Sequence, residues 1–176
     1  VSSREVLLTI AEIAIAVIGF AGIVSALRPR GSEAADAMHR LRLRLMVEAS
    51  GVVMVFAFLP FLIGAELDGP ELWAVASAIL AVAAPIQVAS IYIRQRRLFG
   101  TTLMRETLWF DSATIATAVL VEGVLVGNAT ALFFEPRFSG YLLGVLFPLG
   151  TSVAMFVRAI FASADLAPQE RGGLDG

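Results

Sequence analysis

The sequence predicts an all-α integral membrane protein: a bundle of five transmembrane helices, with the N-terminus outside and the C-terminus cytoplasmic. Three observations carry this. Of 176 residues 58% are hydrophobic and only 16% charged, against roughly 45 to 50% and about 25% in soluble domains. A chain this apolar cannot hide its surplus in a core, because a domain of this size still exposes roughly 30% of its unfolded surface. The apolar residues fall into five runs near the length of about 20 residues that a hydrocarbon layer of about 30 Å requires, and the arginines sort to one side of them.

The expected spans are residues 6–27, 45–65, 72–93, 110–134 and 141–162. The first is too long for the apolar core of a signal peptide and has only Arg4 before it, so it is expected to remain as a helix. Between spans one and two, Pro29 and Gly31 break the chain. Ser32 can then cap a helix that begins at Glu33 and has Asp36 and Arg40 four apart on one face. A cytosolic helical extension over residues 33–44 leading into span two is therefore expected. Spans two and three, and spans four and five, are joined by only about six residues and should form antiparallel hairpins. Span four is the least apolar, since Asp111, Glu122 and Asn128 interrupt it. Residues 163–176 contain Pro168, Gly172, Gly173 and Gly176 and read as a flexible C-terminal tail.

Orientation follows from the basic residues, all thirteen of which are arginine. Arg28, Arg30, Arg40, Arg42 and Arg44 lie in the first connection, Arg94, Arg96, Arg97 and Arg105 in the third, and Arg158 and Arg171 after the fifth span. Only Arg4 and Arg137 lie on the other side, near Glu66, Asp68, Glu71 and Glu135. The positive-inside rule places the arginine-rich side in the cytoplasm. Trp73 and Tyr141 at one set of span ends, and Tyr92 and Trp109 at the other, match the preference of these rings for the headgroup level.

Helices in lipid associate through small residues and interhelical hydrogen bonds. In span one, Glu12 shares a stripe with Ala16, Gly19, Gly22 and Ala26, which is expected to face protein. Span three has a comparable strip in Ala74, Ala78, Ala81 and Pro85. Span four contains Gly123 and Gly127 as a G-x-x-x-G pair, expected to pack within the chain rather than at a dimer seam. Gly19, Gly22, Gly123 and Gly127 are thus the candidate packing positions. Pro60, Pro85 and Pro148 should kink or locally unwind their helices, and Gln87 can bond a carbonyl freed by Pro85.

Candidate chemistry rests on Glu12, Glu122, Asn128 and Asp111. Asp111, Thr114, Ala118, Glu122 and Ala129 share one face of span four, with Asn128 beside it. Intramembrane acids default to a proton or cation site. The competing reading, which is preferred, is a protonated carboxyl serving as structural glue between helices.

Other classes find no support in the chain. There is no Cys and one His, His39, so no thiol chemistry and no His-based metal or cofactor site is expected. No phosphate loop, dinucleotide fingerprint or metalloprotease motif occurs. Arg44 with Glu48, four apart at the inner boundary, Arg94 with Arg97, and Arg105 with Glu106 read as topology determinants and anchors touching anionic lipid, and the run from Arg40 to Arg44 immediately precedes a span and is not a nucleic-acid patch. The expectation is therefore a multi-pass protein of a bacterial inner or plasma membrane, not an enzyme, acting as a structural, accessory or interaction component. Its expected partners are the bilayer and a membrane protein or further copies of itself. The alternative is a small oligomeric proton- or cation-coupled channel or transporter using Glu122 and Glu12.

Overall fold

A computed structural model describes residues 2–27, 33–99, 104–132 and 135–164. Within the helices, the side chains of Leu27, Tyr92 and residues 33–39, 41–42, 95–99, 104–111 and 158–164 lie outside that description. The described chain is all-helical: α1 (Ser3–Leu27), α2 (Glu33–Ile63), α3 (Gly69–Phe99), α4 (Met104–Thr130) and α5 (Phe138–Ala164). Each contains a stretch long and apolar enough to cross a membrane: Ser3–Ala26, Leu43–Ile63, Gly69–Ile91, Ser112–Thr130 and Phe138–Val157. The expected tail lies beyond the described residues from 165 onward, and the expected cap at Ser32 is also outside them.

Local sequence explains the helix ends. Ser2 and Glu5 form a reciprocal capping box at α1: Glu5 N–H donates to Ser2 Oγ at 3.2 Å, and Ser2 N–H donates to Glu5 Oε2 at 2.8 Å. At α3, Gly69 takes a positive φ of 58°, and Pro70 follows inside the first turn with Glu71. At the end of α4, Ala131 has φ 53°, a left-handed conformation more often filled by glycine.

Four helices surround α5, which touches all of them; α1 packs on α2, α2 on α3, and α3 on α4, while α1 and α4 share no contact among the described residues. The central core is Leu7, Ile10 and Ala14 of α1, Val53 and Phe56 of α2, Ala76 and Leu80 of α3, Leu125 of α4, and Tyr141, Val145 and Leu149 of α5. A second cluster, Val17 and Ala21 with Leu43 and Met46, ties α1 to α2 toward the arginine-rich end.

The close approach that lets α5 sit in the middle comes from Gly140 and Gly144. A Cβ on Gly144 would lie 2.6 Å from Leu125 Cδ2 and 2.7 Å from Leu80 Cδ2, and one on Gly140 would lie 2.6 Å from the Asn128 side chain. The packing G-x-x-x-G pair of this bundle is thus in α5. The expected pair in α4 is only half engaged: Gly127 is buried, but Gly123 is exposed with open space where a Cβ would stand.

The small-residue stripes of α1 and α3 also require correction. Gly19 and Gly22 are exposed and meet nothing within 4 Å, and Ala16 and Ala26 are exposed with them. α1 instead packs through Leu7, Ile10, Ala11, Ala14, Val17 and Ala21. In α3 the buried face is Ala76, Ser77 and Leu80, leaving Ala78 and Pro85 exposed. Helical state continues through Pro60, Pro85 and Pro148, so none of the three unwinds its helix.

Pro60 has no N–H to give to the carbonyl of Phe56, four residues earlier. The Tyr141 hydroxyl donates to that carbonyl. Tyr141 is fully buried, tilted against Trp73 at a centroid distance of 5.9 Å, with its hydroxyl turned to the bundle interior.

These contacts separate the glycines by consequence. Gly140→Ala, whose Cβ would press on the hydrogen-bonded Asn128 side chain, should lower stability by about 1–3 kcal/mol through overpacking, and Gly144→Ala, which meets only the movable ends of Leu80 and Leu125, should cost less. Gly123→Ala and Gly19→Ala should leave it unchanged or raise it by up to about 1 kcal/mol through helix propensity. Thermal unfolding of the four variants in one detergent checks the contrast.

Candidate functional site

Burial sorts the described polar side chains: those that are buried are all neutral, and every charged one is exposed or half-buried. Among the described residues, the buried polar side chains are Ser50, Ser77, Asn128 and Ser152, and no charged side chain is buried.

Asn128, near the C-terminal end of α4, is fully buried and fully engaged. Its Nδ2 donates to Ser77 Oγ of α3 at 2.8 Å and to the Arg137 carbonyl at 3.1 Å, while its Oδ1 accepts from Arg137 N–H at 2.8 Å. It thereby fixes the start of α5 against α3 and α4, with Gly140 giving it room. The arrangement is that of a clamp, with no group left over for a ligand.

Between α2 and α5, Ser152 Oγ donates to the Met46 carbonyl at 3.1 Å and lies 2.8 Å from Ser50 Oγ. Since the single Ser152 hydrogen is spent on Met46, Ser50 is the donor between the two hydroxyls. Neutral bonds of this kind contribute modestly to association in lipid, about 0.6 kcal/mol on average, but they set register at the centre of the bundle.

Glu12 and Glu122 are placed quite differently. Glu12 is exposed on α1, beside Ala16 and Gly19 on the face turned away from the chain. It lies nine residues into α1, about 13 Å from the helix start at 1.5 Å per residue. Glu122 is half-buried near the middle of the Ser112–Thr130 stretch of α4. Neither has a hydrogen bond or ion pair with any described residue. Because α1 and α4 do not touch, the structure does not bring the two acids together. Nor is either held against a helix backbone as glue. Thr114 is half-buried on the Glu122 side of α4, and the Asp111 side chain lies outside the described residues, as do Tyr92, Trp109 and His39. Gln87 is half-buried, and its side chain does not bond the carbonyl freed by Pro85.

One ionic centre was missed in the sequence. Glu48 of α2 accepts from Arg94 Nη1 at 2.8 Å and Nη2 at 2.6 Å, a bidentate pair across to α3. Arg44 Nε also donates to Glu48 at 2.8 Å, and Arg94 Nε donates to the Ser90 carbonyl at 3.3 Å. The spacing of Arg44 and Glu48 by four residues is visible along α2, but Arg94 lies 46 residues away and only the folded hairpin brings it in. No group of three or more His, Cys, Asp or Glu side chains suited to a metal ion occurs among the described residues.

No protein-family model matches the chain, and no curated protein and no solved structure matches it either. What the arrangement can do chemically therefore rests on the geometry: a neutral interior whose hydrogen bonds are internal, and two acids, Glu12 and Glu122, that bond nothing among the described residues.

The two classes should respond differently to neutral substitution. Asn128→Leu removes the donor to the buried Ser77 hydroxyl and both part-buried bonds to the Arg137 backbone, and should destabilise the fold by about 1–3 kcal/mol. Glu122→Gln should change stability by less than about 0.5 kcal/mol. Unfolding midpoints of the purified variants check both.

Proposed function

We propose that this protein is a multi-pass component of a bacterial inner or plasma membrane that works by assembling with other transmembrane helices, in the manner of a structural or accessory subunit. The observation that carries the reading is Glu12: an exposed carboxyl on a stripe with Ala16, Gly19 and Gly22, without a partner among the described residues. A carboxylate facing lipid at that depth costs about 2.5 to 3.5 kcal/mol on insertion scales. Covering it with a neighbouring helix removes that cost, and exposed glycines permit the close backbone approach such contacts use. The second acid, the half-buried Glu122, extends the argument to α4, which does not touch α1 among the described residues.

The neutral interior supports assembly over solute movement through a single chain. A proton or cation path using both acids would have to run between chains, since α1 and α4 are not neighbours. The proposed orientation, N-terminus outside and C-terminus cytoplasmic, rests on the arginine distribution.

The chain contains no cysteine, so a single introduced thiol reports cleanly. With oxidation in native membranes, Gly19→Cys should give a discrete disulfide-linked or thiol-crosslinked species, and Val55→Cys on an exposed face of α2 should not. Adding Gly19→Leu or Glu12→Leu to a neighbouring-position cysteine should weaken that crosslink. A Gly19→Cys chain that stays monomeric throughout refutes the assembly reading. Reconstituted protein that carries proton flux lost on Glu122→Gln would replace it with the permeation reading.

Orientation has its own measurement. A reporter active only outside the cytoplasm, fused after Gly176, should be silent, and activity there refutes the C-terminus-inside arrangement.

A further inference from the structure

The Glu48 centre leaves positive charge unspent at a defined place. Two guanidiniums, Arg44 and Arg94, contact one carboxylate, and a third, Arg40, stands one turn before Arg44 on the same helix. Arg94 is consumed, with Nη1 and Nη2 on Glu48 and Nε on the Ser90 carbonyl. Arg44 gives Glu48 only its Nε, and its side chain is 65% exposed, so its two terminal nitrogens point to no described partner. Arg40 is exposed one helical turn before it and has no ion pair among the described residues.

The face that these two arginines begin is continuous. At 3.6 residues per turn, Arg40, Arg44, Val47, Gly51, Val55, Phe58 and Leu62 follow one another along a single side of α2. Val47 is 39% exposed, Val55 60%, Phe58 41% and Leu62 75%, and Gly51 between them has open space where a Cβ would stand. The apolar stretch begins at Leu43. The guanidiniums therefore stand where hydrocarbon gives way to headgroups. From Val47 to Phe58 the helix rises about 16 Å, the thickness of one hydrocarbon leaflet.

We propose that this face of α2 binds one anionic phospholipid, its phosphate held by Arg40 and Arg44 and an acyl chain lying along Val47, Gly51, Val55 and Phe58. A phosphate oxygen accepts in-plane hydrogen bonds from the forked guanidinium. Glu48 serves as the positioning residue, fixing Arg44 through Nε so that its remaining N–H groups are presented outward. The apolar stripe is what distinguishes a lipid from a free phosphate, because only a lipid covers both ends of the face. This site is separate from the Glu12 face of α1, and its test does not depend on assembly.

Native mass spectrometry of the full chain, released from an uncharged detergent, reads the number and affinity of bound lipids. Phosphatidylglycerol should bind more tightly than phosphatidylcholine of the same chain length. Arg40→Gln with Arg44→Gln should weaken phosphatidylglycerol by about fivefold per arginine and leave phosphatidylcholine unchanged. Arg137→Gln, at the other end of the bundle, should leave both unchanged. Arg40→Lys with Arg44→Lys should retain most of the preference, and that pair and each single glutamine variant serve if the double glutamine variant fails to fold.

Soluble glycerol phosphate at the same concentration should not displace the lipid. Equal binding of the two lipids by the wild-type chain, or a preference that survives loss of both arginines, overturns the proposal. Displacement by glycerol phosphate as effective as that by phosphatidylglycerol overturns the lipid in favour of a simple anion site.

Discussion

The bundle depends on how closely α5 can approach its neighbours. A helix touching four others has no room for side chains at its tightest crossings, and Gly140 and Gly144 supply that room against Asn128, Leu125 and Leu80. Once there, α5 delivers the Tyr141 hydroxyl to the Phe56 carbonyl, which Pro60 leaves without its helical donor. In a hydrocarbon surrounding, an unpaired carbonyl costs several kcal/mol. The proline is thus tolerated because a second helix answers it, and the answer fixes the rotation of α5 about its own axis. Ser152 on Met46 and Asn128 on Arg137 then set its height at either end.

The spans could be read from the chain because their signal is the mean composition of a 20-residue window, which lipid imposes directly. Faces could not be read in the same way. In a soluble helix the contrast between apolar and polar sides marks the core, whereas here both sides are apolar and the contrast disappears. α1 shows the difficulty plainly: Ala11, Ala14 and Ala21 point inward while Ala16, Gly19 and Gly22 point outward, so small residues line both sides. A stripe of small residues is therefore compatible with either direction until a neighbour is known. The capping box of Ser2 and Glu5, by contrast, is a local pattern and stands in the sequence for anyone looking for S-x-x-E.

Tyr141 illustrates a second reason. Its position at a span end fits the interfacial preference of tyrosine, but that preference arises because the hydroxyl needs a polar partner. A carbonyl orphaned by proline meets the same need inside the bundle. The clue was the combination of Pro60 in one span with a buried-capable phenol in another, and nothing along the chain pairs the two. Glu48 and Arg94 present the same problem of distance, since only the α2–α3 hairpin places them together.

The separation of neutral from charged side chains limits where function can lie. Ser50, Ser77, Asn128, Tyr141 and Ser152 spend their polar atoms on one another and on backbone, so they account for the fold. Glu12 and the half-buried Glu122 bond nothing among the described residues, and a carboxyl left facing hydrocarbon is a cost. The proposed assembly answers that cost with a neighbouring helix, and the proposed lipid site answers the terminal nitrogens of Arg44 with a phosphate. Both readings draw on side chains that no hydrogen bond or ion pair among the described residues uses up.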